Sequence, residues 1–353
     1  MKKFVSGMLL VVACCGLPSA WATNAARVLV QHAVQGPQAL RAVLQAVARA
    51  GNRLVAVGER GVILLSDDNG NSWRQAPAPV SASLTGVQFV DDRNGWATGH
   101  AGVVLHSEDA GESWELQLEG SRAAAIELEA AQASGDEDRI HVAQRLVNEG
   151  PDKPFLALSF ADKKRGLVTG AYGLVLATED GGQTWQSWSG RVPNDRGLHL
   201  YAAARQGNSI YLAGEQGLLL RSMDGGEHFV VLQSPYEGSY FAAAVLQNGL
   251  LYVGGLRGHL FVSADQGNSF QALANPIPAS INSINVAQGR LLFTNQAGLL
   301  LHSGLKNFSA QAIPVSDGLP LTSVTQAADG SLIAVGMAGV RRLPFLFTST
   351  FEE

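Results

Sequence analysis

Cysteine is nearly absent from this chain of 353 residues: Cys14 and Cys15 are the only two, and both lie near the start. The body of the chain therefore has no disulfide framework, no cysteine-ligated zinc and no thiol nucleophile. A His-Glu-x-x-His motif and a Gly-x-Ser-x-Gly nucleophile turn are missing too, and the eight histidines are scattered. Charged residues are only 16% of the chain and the formal net charge is −5, with no basic excess. That balance speaks against general nucleic-acid binding. The one long apolar run, Phe4 to Leu17, is shorter than a membrane-spanning helix requires.

That run follows Lys2 and Lys3 and precedes Ala20-Trp21-Ala22, a small-residue cleavage site before Thr23. The pattern is an export signal. Residues 1–22 are expected to be a signal peptide and 23–353 the mature domain, periplasmic or secreted. Cleavage after Ala22 removes both cysteines and leaves 23 basic against 30 acidic residues, a net charge of −7. A second route exists in the lipobox-like Val11-Val12-Ala13-Cys14, which would carry a lipid on Cys14. Either route leads out of the cytoplasm.

Glycine, by contrast, is abundant, and its 40 copies follow a plan. Val57 to Trp73 reads Gly-x-x-Gly, an apolar run, then Ser-x-Asp-x-Gly-x-Ser-Trp. The plan returns at Gly99 to Trp114, Gly170 to Trp185, Gly214 to Phe229 and Gly255 to Phe270, and in worn form from Asn295 and Gly336. The second glycines, Gly61, Gly102, Gly173, Gly217, Gly258, Gly298 and Gly339, are separated by 41, 71, 44, 41, 40 and 41 residues. A period near 40 residues built of short strands and glycine turns predicts an all-β, seven-bladed β-propeller. The single long step marks an insertion.

Each part of the repeat has a physical reason. Apolar runs such as Leu54 to Val57 and Ile210 to Ala213 suit strands buried between blades. The Gly-x-x-Gly pair is expected to allow positive φ in a tight turn. In the second turn Asp68, Asp109, Asp180, Asp224 and Asp265 can accept backbone N–H bonds, with a glycine two residues on and an aromatic to seal the hairpin. Five aspartates in one repeated role are fold determinants and not a catalytic constellation.

These residues resemble the Asp-box, or BNR, repeat of sialidase-like propellers. Gly95 to Trp114 in particular is similar to the repeat of the photosystem II stability/assembly factor family. The resemblance implies a non-enzymatic propeller that acts as a scaffold in photosynthetic reaction-centre assembly, without cofactor or metal. Similar proteins in proteobacteria tend to be encoded near RND-type exporters, so an accessory role at an envelope exporter is the alternative partner reading. The sialidase likeness raises a third, a glycosidase or carbohydrate-binding propeller.

The inserted stretch, 119–153 between blades two and three, turns to Ala, Glu, Gln and Arg. It predicts helices over Ala123 to Ala133 and Glu137 to Asn148, with Ile140, Ala143, Leu146 and Val147 on one docking side. Blade seven has no Asp box and no clear fourth strand. Arg27 to Gln31 is expected to supply that strand and close the ring, with Phe345 to Phe351 as the rival.

In a four-stranded meander the Gly-x-x-Gly turns and the insertion share one rim, and the Asp boxes occupy the other. The residues between the glycines vary and include Glu59, Arg60, His100, Tyr172, Glu215, Gln216, Arg257 and Gln296. Loops on a rigid scaffold are where recognition is usually placed, so this rim is the candidate binding face for a membrane protein or complex, presented by a monomer. The glycosidase reading needs two carboxyl groups facing one sugar. Glu59 and Glu215 stand on blades one and four, too far apart in a ring of seven. Arg60, Arg257 and Tyr172 would have to serve as sialidase-like substrate ligands, and no Arg-Ile-Pro-type motif precedes the first box. No catalytic residue is assigned.

Overall fold

A computed structural model describes residues 26–344 except 288, 306–309, 314, 316 and 317. The signal-peptide residues, Cys14 and the segment Phe345 to Phe351 lie outside the described residues. Blade one sets the pattern with β1 (Leu44–Ala50), β2 (Arg53–Gly58), β3 (Ile63–Ser66) and β4 (Arg74–Ala76), each antiparallel to the next. Five further sheets of four strands and a last one of three repeat it, which makes the seven-bladed propeller the repeat predicts. The second strand of each blade is buried on both faces, as in Leu54, Val55, Ala56 and Val57. Each blade is sandwiched between two others, so alternation gives way to an unbroken apolar run.

The Asp boxes act as closed hydrogen-bond loops. Ser66 Oγ donates to Asp68 Oδ1 at 2.8 Å and accepts the Gly70 N–H at 2.9 Å. Asp68 in turn accepts the Ser72 N–H at 2.9 Å and the Ser72 hydroxyl at 2.6 Å, and the Trp73 indole N–H bonds to the Gly70 carbonyl at 3.2 Å. The same loop recurs at Asp109, Asp180, Asp224 and Asp265, with Thr178, Thr184 and His228 as variants of the hydroxyl positions.

Ring closure differs from the sequence expectation. Residues 26–30 are helical and do not pair into blade seven. The Val28 carbonyl accepts the Ser81 N–H and Ala33 N–H donates to Ala78, so Arg27 to Gln31 is tied to the link between blades one and two. Tertiary bonds override the strand-like pattern of this short segment. Blade seven shows three strands among the described residues, Leu321–Gln326, Leu332–Gly336 and Gly339–Leu343. The seam is held by packing of Leu54 and Leu64 with Ile333 and Val335. Polar bonds add to it, from Thr322 Oγ1 to the Leu44 carbonyl at 2.7 Å and from Arg342 Nε to the Asn69 carbonyl at 3.0 Å.

The insertion forms α1 (Gly120–Ser134) and α2 (Glu137–Asn148). Glu119 caps the first and Asp136 the second, and Gly135 takes the left-handed conformation that ends the first. Ala123, Ala124, Ile126 and Leu146 join Trp96, Leu118, Phe155 and Trp185 in one cluster, so the hairpin is part of the core between blades two and three. The buried carboxylate of Glu127 accepts Arg139 Nε at 2.8 Å and Nη2 at 3.1 Å, and the Ser187 hydroxyl completes its shell. This clamp ties both helices to the short fourth strand of blade three, Gln186–Ser187, and covers its edge.

Glu127→Ala is expected to lower stability by about 3 kcal/mol, because it leaves Arg139 without its buried partner; urea unfolding reads the change. Asp68 and Asp265 are held down at about 2, chiefly by the hydroxyls of Ser72 and Ser269 and then by their N–H groups. A folded pKa below the unfolded value of 3.8 means the stabilisation is complete above pH about 4 and is lost as pH falls towards 2. Thermal melts over that range are expected to fall more steeply for the wild type than for Asp68→Asn/Asp265→Asn.

Candidate functional site

The Gly-x-x-Gly turns are built by close approach as much as by backbone freedom. Gly58, the first glycine of blade one, is extended, with φ −168°. A Cβ there would lie 2.1 Å from the Val43 carbonyl oxygen, and this crowding, not positive φ, is why the position is glycine. The second glycine, Gly61, does have positive φ, 73°. Next to the first glycine position, the N–H of Glu59 donates to the Val43 carbonyl, and the equivalent bond is made by His100, Ala171, Glu215, Leu256, Gln296 and Met337. This bond is thus the same in every blade, and the full turn conformation is shared by blades one to five, while in blade six the Asn295 side chain accepts the Ala297 and Leu299 N–H groups instead.

One residue in each of the first five turns bears strain. Arg60, Ala101, Tyr172, Gln216 and Arg257 have φ between 53° and 60° without being glycine. The left-handed conformation costs an L-residue about 1–2 kcal/mol, and Arg and Tyr have no local polar group to offset it. Asn69, a residue better suited to this conformation, occupies the matching strained place on the opposite rim of blade one. Arg60, Tyr172, Gln216 and Arg257 are all exposed.

Charges on this rim are arranged unequally. The Glu59 carboxylate accepts the Val43 N–H at 3.0 Å. Glu215 accepts the His199 N–H at 2.8 Å and the Tyr201 hydroxyl at 3.2 Å, and burial together with that carboxylate pushes the Tyr201 hydroxyl up to about 12. Both acids are therefore engaged with their own blade. The guanidiniums of Arg60 and Arg257 have no hydrogen-bond or ion-pair partner among the described residues, and His100 and Gln296 are exposed on the same rim. Arg196 bonds the Gln216 side chain. The structure thus puts the eight candidate residues on one rim but spread over six blades, and Glu59 and Glu215 do not form a pair.

Several neighbours escape the repeat pattern. Lys153 is fully buried, donates to the Gly150 carbonyl at 2.8 Å and stands 5.8 Å from the Tyr172 ring centre. Burial holds its ammonium below the usual lysine range. The rings of Tyr172 and His199 are 5.5 Å apart, and Tyr201 and Phe241 are 5.3 Å apart. None of these partners lies within a Gly-x-x-Gly turn. The signal available in sequence was their shared place within two residues of the start of a first strand, at Phe155, Leu200 or Tyr240. Among the described residues no group of three or more His, Cys, Asp or Glu could hold a metal, and no helix is long and apolar enough to cross a membrane.

If Arg257 is kept for its side chain and not for the turn, Arg257→Gly is expected to leave stability unchanged or raised by up to about 1 kcal/mol. A lower denaturation midpoint would show that the arginine supports the fold.

Comparison with known proteins agrees with this architecture. The family model described as photosynthesis system II assembly factor YCF48 matches residues 50–123 and 141–235. The break in the match falls within the helical hairpin. A curated relative, photosystem II assembly lipoprotein Ycf48 of Synechococcus sp. (strain CC9902), is 32% identical over 77 residues, which is 22% of this chain and 23% of the relative. The match thus spans about a quarter of that relative's length. The solved structure of YCF48 bound to D1 peptide superposes with a TM-score of 0.63 at 14% identity, covering 89% of this chain and 96% of that one. YCF48 from Cyanidioschyzon merolae gives 0.61 at 15%, covering 88% and 97%. Virginiamycin B lyase from Staphylococcus aureus, an enzyme, gives 0.66 at 11%, covering 88% and 96%. At these identities the solved structures speak for the fold alone. The repeated Asp box, the family model over the first blades and the shared ring make this chain a photosystem II assembly-factor-like, seven-bladed Asp-box propeller.

Proposed function

We propose that this chain is an exported, non-enzymatic propeller that docks an acidic segment of a membrane protein on its Gly-x-x-Gly rim during assembly of a membrane complex. The observation that carries this reading is the charge arrangement of the rim. Glu59 and Glu215 are turned in to backbone N–H groups, while Arg60 and Arg257 extend from strained turns without partners. Strain kept at exposed side chains is typical of functional positions, and the free guanidiniums of Arg60 and Arg257, each on a turn separate from exposed Asp195 and Glu237, favour an acidic partner at those two turns. The YCF48 structure bound to D1 peptide supports a peptide-docking role by analogy, since that propeller holds a peptide.

Several features support the absence of catalysis. Glu59 and Glu215 sit on different blades, and both are occupied by hydrogen bonds, so these two do not make an acid–base pair facing a common substrate. An envelope location is supported by the leader-like residues 1–22 and by the lipoprotein character of the curated relative. The hairpin is part of this reading as a buttress. Its buried contacts favour stiffening of blades two and three beside Tyr172, with docking left to the turns.

The test is a crosslinking pull-down of the mature protein from its native envelope, run beside Arg60→Ala/Tyr172→Ala/Arg257→Ala. A membrane protein is expected to be captured by the wild type and lost by the variant, with both melting alike. Glycan capture without a protein partner would refute the docking reading.

A further inference from the structure

The first strand of every blade contains one residue that the second strand skips: Gln45, Thr85, Leu156, Tyr201, Phe241, Asn282 and Thr322. A bulge of this kind re-aims its side chain, and one per blade makes a ring around the turn-rim mouth of the central axis. Three of the seven hold the scaffold together. Thr85 Oγ1 donates to the Phe155 carbonyl at 2.6 Å, Asn282 Nδ2 to Leu321 at 2.7 Å and Thr322 Oγ1 to Leu44 at 2.7 Å. Each acceptor is the residue just before the bulge of the next blade.

Blade one, where Gln45 is exposed, departs from that pattern, and so do blades three, four and five in succession. The bulge residues of these last three are Leu156, Tyr201 and Phe241, all partly exposed, and neither Leu nor Phe can donate a side-chain bond. The Tyr201 and Phe241 rings lie 5.3 Å apart, and the run continues outward through His199, 6.2 Å from Tyr201, to Tyr172, 5.5 Å from His199. Two residues further along the same strands, Leu158, Ala203 and Ala243 line a cavity of about 620 Å³. Ala203 and Ala243 are small and leave open space below the arc, and the cavity runs on from them along the strands to Arg205, Gly207 and Asn208 towards the opposite rim. Arg257 follows on the turn of blade five, and Tyr201 is held in place by Glu215.

We propose that this arc sets the specificity of the docking rim by receiving an aromatic side chain of the bound acidic segment, while Arg257 pairs with a neighbouring carboxylate of the same segment. The inference rests on the docking reading above and adds the chemistry of what docks. Partly exposed rings arranged edge to face offer a third ring both stacking and edge contacts. The free guanidinium of Arg257 favours a carboxylate beside the ring.

The experiment is fluorescence anisotropy with two labelled synthetic peptides and the mature protein. One peptide carries a single phenylalanine flanked by aspartates, and the other has alanine in its place. The wild type is expected to bind the phenylalanine peptide about tenfold more tightly. Phe241→Ala is expected to remove most of that preference while keeping its affinity for the alanine peptide, which also reports that the variant is folded. Should Phe241→Ala melt early, Phe241→Leu retains packing and is expected to weaken the preference in the same sense. Tyr201→Phe, which keeps the ring, is expected to retain it. Equal binding of the two peptides by the wild type, or a preference that survives in Phe241→Ala, overturns the arc while leaving rim docking standing. Failure of the wild type to bind either peptide removes the docking reading and the arc together.

Discussion

Burial of every blade on both faces is the constraint from which the rest of the molecule follows. A sheet that must pack against a neighbour on each side cannot use alternation in its second strand, hence Leu54 to Val57 and its counterparts. It leaves only the rims for polar chemistry. One rim is filled by the Asp-box loops, which close their own hydrogen bonds locally. The other is made of turns so tightly packed that the glycine entering them has a carbonyl where a side chain would be. The first rim is tied down by side-chain loops in five blades, while the second mixes side chains bonded into the fold, such as Glu59 and Glu215, with others, such as Arg60 and Arg257, that bond to nothing among the described residues.

The ring nevertheless departs from perfect repetition at two places, and in each a local device replaces the missing symmetry. At the seam, where blade seven shows three strands among the described residues, packing between first and last blades is reinforced by Thr322, Arg342 and the Asp329–Asn69 bond. Between blades two and three the chain inserts two helices, and the Glu127 clamp makes them part of the wall. Side-chain clamps between neighbouring first strands, such as the paired bonds of Gln88 to the Phe160 backbone at 2.8 and 3.0 Å, serve the same end.

Much of this was legible in sequence because its signals are local. Asp, Gly and an aromatic at fixed offsets specify a hairpin without reference to the rest of the chain, and five such boxes with two worn copies of the repeat at a period near 40 residues specify a ring. The helical hairpin was readable for the same reason, through Asp136, Gly135 and one apolar face. What was not legible depends on residues that meet only through the closed ring. Arg27 to Gln31 carries a strand-like pattern, and its actual partners are Ser81 and the link around Ala78. The need for glycine at Gly58 comes from a carbonyl many residues earlier. The candidate arc could not be seen because Leu156, Tyr201 and Phe241 come from three blades and fall at a bulge, a feature with no residue signature of its own.

The shared backbone of the turn rim has a consequence for how such a protein changes over evolutionary time. Since the turns of blades one to five are shaped chiefly by backbone groups and glycine, the residue at the positive-φ place, such as Arg60, Tyr172 or Arg257, can be rewritten blade by blade with little disturbance of the ring. Partner choice and foldability are thereby inherited on separate positions. A lineage could exchange one client for another through a few substitutions on a single rim, leaving sequence similarity strongest where it says least about the client.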